Sequence, residues 1–252
     1  MLPTMSSVAA LVGLLACLMS DPAHAMREEL ALPLASPPSA WMEGEFDLTE
    51  IRISDNTEDM HWESTFSYGT EDDRAVMKFD GHGEWGRRIG QVETQLLYSH
   101  RLSLGTALLA GVRHRWRGSP HDSYATLGIE TELNRYIAAE SYAFLSDQGD
   151  LTGEAKLFIN VPLHDKLLAD ARAQIGWSGQ AIAREDIAAG LNGTELSLRL
   201  RYTGSPHIEP YLGVIHSRLL GKMADIASTN GVSRHSTLGV VGLSFAFSRD
   251  ED

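Results

Sequence analysis

Alternation with a period of two runs through most of this chain and limits what it can fold into. In Thr194–Tyr202 (TELSLRLRY), Leu196, Leu198, Leu200 and Tyr202 fall on one face, opposite Glu195, Ser197, Arg199 and Arg201. In Leu168–Ser178, Ala169, Ala171, Ala173, Ile175 and Trp177 oppose Asp170, Arg172, Gln174 and Ser178. In Leu151–Val161, Leu151, Gly153, Ala155, Leu157, Ile159 and Val161 oppose Thr152, Glu154, Lys156 and Asn160. A turn of 180° per residue is the signature of a strand with one apolar face; a helix would smear these residues around its surface.

Twelve segments carry the pattern, at about 46–54, 59–69, 73–85, 89–102, 106–117, 123–134, 136–146, 151–162, 167–178, 194–204, 208–220 and 235–247. A tilted strand crosses the hydrocarbon layer in about 9–11 residues, which these lengths meet. The connections after the even-numbered segments are brief, whereas Gly179–Gly193 and Gly221–Arg234 are long. An even number of strands, with short turns at one end and long loops at the other, predicts an all-β fold. We read it as a 12-stranded antiparallel outer-membrane β-barrel over 46–247, with both termini on the short-turn, periplasmic side.

The polar face decides between this barrel and a soluble sandwich. It carries large charged residues in phase on neighbouring strands: Glu93; Arg113 and Arg115; Glu130 and Glu132; Glu154 and Lys156; Asp170 and Arg172; Glu195, Arg199 and Arg201. Tyr98, Trp116, Trp177, Tyr202 and Phe247 recur near the ends of apolar faces, where an aromatic girdle sits. Lipid outside and charge inside accounts for both. Interlocked acids and bases across the lumen predict a plugged or tightly gated interior.

The compartment follows from the amino terminus. Val8–Met19 (VAALVGLLACLM) is apolar but too short to span a membrane, and Ala23-His24-Ala25 is a small-x-small cleavage site. Residues 1–25 therefore read as a secretory signal peptide, 26–45 as a short, extended, disordered segment with Pro33, Pro37 and Pro38, and 248–252 as a polar tail. Cys17, the sole cysteine of the 252 residues, lies in the signal. Disulfides, thiolate metal sites and a cysteine nucleophile are thereby excluded from a processed chain. A net charge of −13 argues against a nucleic-acid partner. The expected surroundings are outer-membrane lipid, for a monomer in a Gram-negative cell.

Val240–Phe247 (VVGLSFAF) resembles the carboxyl-terminal mark by which barrel assembly machinery recognises its substrates, although Val stands at its first position and a polar tail follows. From about Gly90 to Phe247 the chain also resembles the copper resistance protein B family. The carrying segments are QVETQLLYSHRL (91–102), LAGVR (109–113), SYATLGIETEL (123–133), LSDQGDLTGEAKL (145–157), IAAGLNGTELSLRLRY (187–202) and IEPYLGV (208–214). The resemblance covers about two thirds of the chain. It implies an outer-membrane barrel that binds copper ions or assists their export or sequestration, with a periplasmic copper-binding protein as a partner.

Members of that family often carry a long Met- and His-rich segment before the barrel. About twenty residues stand there in this chain after the signal, with Met26 and Met42 and no His. Copper takes thioether and imidazole ligands. The candidates are then Met42, Met60, His61, Met77 and His82. Met60 and His61 are adjacent in a strand, so without a bulge they point to opposite faces. Three classes of function compete: a copper-tolerance barrel, a generic small-solute porin or structural barrel without metal specificity, and a barrel enzyme. The last is not expected, because no Ser–His–acid arrangement stands out.

Overall fold

The computed structural model describes residues 40–53, 58–84, 89–117, 122–205 and 207–250. The signal reading of 1–25 and most of the 26–45 segment lie outside the described residues. Twelve strands follow one another in chain order: β1 (Trp41–Ile53), β2 (Glu58–Gly69), β3 (Asp73–Glu84), β4 (Ile89–Ser103), β5 (Thr106–Arg117) and β6 (Asp122–Asn134). They continue with β7 (Ile137–Ser146), β8 (Leu151–His164), β9 (Leu167–Ser178), β10 (Gly190–Tyr202), β11 (Glu209–Leu219) and β12 (His235–Asp250). Each pairs antiparallel with its sequence neighbours, and β1 pairs with β12 to close the barrel.

All twelve alternating segments form strands, but several ends run beyond the periodicity, β10 for one beginning at Gly190 rather than Thr194. β1 begins at Trp41, five residues before the alternation becomes visible, and β12 runs on to Asp250 through most of the polar tail. The reason is mutual: Trp41 stands opposite Asp250 and Gly44 opposite Phe247, so each end gives the other its hydrogen-bonding partner. Closure satisfies the edge groups that an open sheet would leave bare in lipid.

The faces invert the arrangement of a soluble protein. Leu212 and Leu127 are 61 % and 55 % exposed on the outside, whereas Arg199 inside is 1 % exposed. Only a lipid-facing surface makes that distribution favourable. Tyr98, Trp116, Tyr202 and Phe247 are exposed outward, and Trp177 lies across Gly153.

Two features set up the interior. First, β1 carries a bulge: its register shifts between Phe46 and Thr49 against β12, and between Glu45 and Leu48 against β2. The extra residue switches the parity of the strand, so that Asp47 and Glu50 both reach the lumen. Second, two luminal tyrosines lie flat over glycines of the neighbouring strand. A Cβ on Gly128 would sit 2.3 Å from the Tyr142 ring, and one on Gly242 2.5 Å from the Tyr211 ring. Those bare backbone positions let each phenol reach across to the charges described below.

The fold predicts that an unboiled sample will migrate differently from a boiled one in SDS gels, and identical migration would contradict a closed barrel. Gly242→Leu displaces the Tyr211 ring and should lower the temperature at which the folded band converts.

Candidate functional site: a charge lattice across the lumen

The lumen is crossed by ion pairs between strands that are distant round the ring. Glu50 on β1 accepts two hydrogen bonds from Arg199 on β10, at 3.0 and 3.2 Å. It also accepts from Arg52 Nε at 2.9 Å and from the Tyr211 hydroxyl at 3.2 Å. Arg199 donates its remaining nitrogen to Ser197 at 2.8 Å. Beside this group, Arg172 on β9 donates to both oxygens of Asp47 at 2.6 and 3.1 Å, and to Asp170 at 2.8 Å. Arg201 donates to Asp170 at 2.6 Å and to Ser244 at 3.0 Å. Charges this deeply withdrawn from water are tolerable only when most of their lone pairs and protons are met, and fork-on-carboxylate geometry meets most of them here, Arg201 Nε remaining without a partner.

Arg172 also approaches Glu63 on β2 to 3.8 Å. Strands β9 and β2 stand five places apart round a ring of twelve, so this contact runs almost across the barrel. The cavity left among Arg52, Glu63, Lys156, Arg172 and Arg199 has a volume of about 30 Å³. That is room for a few waters at most, and no broad aqueous channel passes there.

Further pairs complete the lattice. Lys78 donates to Glu130 at 2.5 Å, to the Tyr142 oxygen at 2.9 Å and to Glu140 at 3.5 Å. Arg113 donates to Glu93 and stacks 4.0 Å from the Phe144 centroid. Arg115 lies 3.7 Å from Glu93 and donates at 3.1 Å to Glu185, which belongs to a 3-10 turn (Ala183–Glu185) in the connection between β9 and β10. That connection therefore folds in over the long-loop end of the lumen, anchored by buried Ile182 and Ala188. Lys156 lies 3.9 Å from Glu154, and Glu195 accepts from Ser217 at 3.1 Å. Of the twelve charges assigned to the lumen from sequence, Glu132 alone stands apart, exposed at the short-turn rim.

The five copper-ligand candidates do not come together. Met42, Met60 and Met77 belong to the outward face. Met42 and Met77 are 41 % and 39 % exposed there, and Met60 pairs with Ile51 and Gly83, out of phase with luminal His61. The physical reason is parity: each Met sits one residue, or an odd number, from its strand's luminal positions, counted for Met42 on its own side of the β1 bulge. His61 and His82 do face inward, directly opposite one another on β2 and β3, with His82 exposed towards the mouth.

His61 instead gathers carboxylates. Ligand atoms of His61, Glu63 and Asp80 all lie within 4.8 Å of one another. Arg52 stands 2.9 Å from His61 Nδ1, and a guanidinium can only donate, so Nδ1 accepts and the ring proton sits on Nε2. Nε2 lies 3.1 Å from Asp80 Oδ2. One imidazole and two carboxylates form an N/O donor set, which suits Cu(II) better than Cu(I). Sequence reasoning missed Glu63 and Asp80, although His61-x-Glu63 and Asp80-x-His82 each place two donors on one strand face. It also missed Asp47 and Glu50, because a bulge leaves no mark in a period-two pattern.

The fold and this interior define an outer-membrane β-barrel with a charge-filled lumen. The sequence matches the family described as Copper resistance protein B precursor (CopB) over residues 41–247, and the chain belongs to that family. It is 29 % identical over 196 residues to Copper resistance protein B of Escherichia coli, covering 78 % of this chain and 66 % of that one. It is 25 % identical over 201 residues to the Copper resistance protein B homolog of Pseudomonas syringae pv. tomato, covering 80 % and 68 %. The chain thus spans about two thirds of the length of these relatives. Among solved structures, the NanC porin matches with a TM-score of 0.50 at 12 % identity, covering 82 % of this chain and 99 % of that one, a likeness of fold. The protein is located in the outer membrane.

Two predictions follow from the lattice. Arg199→Ala strands Glu50 in the lumen and should cost about 3–5 kcal/mol of stability, whereas Arg199→Met with Glu50→Gln should recover most of it, read from thermal conversion of the folded band. At the loop end, the Arg184 guanidinium hydrogen-bonds Asp150 and holds its carboxyl below the usual range. A lowered carboxylate stabilises above its ordinary range and loses that contribution as pH falls. Amide exchange in 179–189 should therefore accelerate in acid beyond the intrinsic pH effect, and Asp150→Asn should abolish that dependence.

Proposed function

We propose that the protein serves bacterial copper resistance by holding Cu(II) inside the barrel, at His61, Glu63 and Asp80, on its way between the periplasm and the exterior. The observation that carries this reading is the convergence of three donor atoms of the right chemistry within 4.8 Å, in the lumen of a member of a copper resistance family. Copper is cargo here, and no covalent chemistry is required of the protein. Cu(II) at Nε2 would require the ring proton of His61 to shift to Nδ1, where it would displace the Arg52 guanidinium. Glu50 and Glu195, already 2.9 and 4.0 Å from Arg52, stand ready to receive it.

The lattice supports selective handling over passive diffusion, because Arg172 and Glu63 meet almost across the barrel. Glu63, a copper ligand in this reading, also stands in the constriction beside Arg172. Copper arrival therefore competes with Arg172 for Glu63, and the constriction loosens as the site fills. In this reading the chain works as a monomer in outer-membrane lipid, delivered by barrel assembly machinery through its closing strand and supplied by a periplasmic copper-binding protein.

The test is calorimetry of the purified, folded chain with Cu(II) and Zn(II), together with a clean deletion strain challenged with copper, zinc and an uncharged antibiotic. His61→Ala should weaken Cu(II) binding at least tenfold while the SDS folded band is retained, and the deletion should sensitise to copper selectively. Sensitivity to all three agents is the result expected of a non-specific porin, and unchanged binding in His61→Ala removes the site.

A further inference from the structure

The outer face carries a feature that copper handling does not use. On the apolar outer face of β11 and β12, exposed Leu212, Val214, Val241 and Leu243 mark the hydrocarbon band. Towards the long-loop end the same face changes character. His216 and Arg218 on β11 stand opposite Thr237 and His235 on β12, all at outward positions. The connection that follows β11 forms helix α1 (Gly221–Thr229), and Arg234 closes it. Between the strands and the first turn of α1 lies an open cavity of about 560 Å³ lined by His216, Arg218, Arg234 and His235.

The cavity runs against the charge of the rest of the protein. The chain has a net charge of −13, yet two arginines and two histidines meet here with Asp225 as the acidic lining residue. Asp225 is 3.9 Å from Arg234 in an exposed pair, which screens little. Arg218 has no ion-pair partner among the described residues. His216 turns Nδ1 to Thr237 at 2.9 Å, so Nε2 is its free edge. The His216 and His235 rings lie 6.3 Å apart. Arg234 donates its Nε to Ser228, and its outer nitrogens, the Arg218 guanidinium and the imidazole donors around the open cavity form a receptor for a phosphate.

Its height on the barrel selects the ligand. Short turns are periplasmic, so the long-loop end is exterior, and the cavity sits where the hydrocarbon band meets the outer leaflet's head groups. The lipid there in a Gram-negative outer membrane is lipopolysaccharide, whose glucosamine head carries phosphates. We propose that this cavity binds a phosphate of the lipopolysaccharide head group, with the acyl chains lying along Leu212, Val214, Val241 and Leu243. The lipid then braces the connection that holds α1 against the barrel wall.

Native mass spectrometry of the full chain in detergent tests the proposal, with bis-phosphorylated lipid A, its dephosphorylated counterpart and inorganic phosphate as separate probes. Bis-phosphorylated lipid A should be retained at least tenfold more than the dephosphorylated form. Arg218→Gln with Arg234→Gln should remove that preference while the SDS folded band persists, and Arg135→Gln at the opposite rim should leave it intact. Equal retention of both lipids, or an unchanged preference in the double variant, overturns the proposal. So does occupancy by inorganic phosphate with no preference for the phosphorylated lipid, which would mark a free-phosphate site.

Discussion

The pairing of buried arginines with carboxylates on distant strands is the constraint on which this barrel depends. Glu50 collects Arg199, Arg52 and Tyr211, while Arg172 spans from Asp170 to Asp47 and on towards Glu63. A barrel with lipid outside keeps only a small apolar cluster within to hold its walls in place, Val76, Leu97, Leu109, Tyr124, Tyr142 and Phe144, because most of its leucines face outward. The polar interior takes over that task, and directional fork-on-carboxylate bonds fix the cross-section in a way that non-directional apolar packing does not. Breaking one member leaves a charge with neither water nor a partner, so the lattice holds as a unit.

The same bonds give the interior its chemical meaning. They leave space for a few waters at the waist and bring His61, Glu63 and Asp80 together just to the exterior side of it. Glu63 belongs to both systems, since it faces Arg172 and it completes the donor group. In the proposed function the metal site and the constriction are therefore coupled through one carboxylate, and occupancy of the first bears on the width of the second. The methionines that composition brings forward lie outside this logic, because parity turns Met42, Met60 and Met77 to the lipid.

The architecture was legible in the sequence because a one-sided strand writes its two environments into alternate residues. Leu196, Leu198 and Leu200 against Glu195, Arg199 and Arg201 fixed both the strand and its faces, and eleven of the twelve luminal charges read this way lie within the lattice. What stayed hidden depends on long-range pairing or on broken periodicity. The β1 bulge brings Asp47 and Glu50, of opposite parity, to the same side. The start of β1 at Trp41 is set by a partner two hundred residues away at Asp250. Glu185 enters the lumen from a connection whose path no alternation describes. The donor group needed the register of β2 on β3, which sets Glu63 opposite Asp80 and His61 opposite His82.

The central claim is that copper is held in the lumen by one imidazole and carboxylates. Pulsed electron paramagnetic resonance of the full chain loaded with one equivalent of Cu(II) tests it most directly. The account predicts a nitrogen–oxygen donor set with modulation from a single imidazole, lost in His61→Ala and altered in Asp80→Asn. A spectrum showing several imidazoles or sulfur ligation, or one unchanged by His61→Ala, would contradict it.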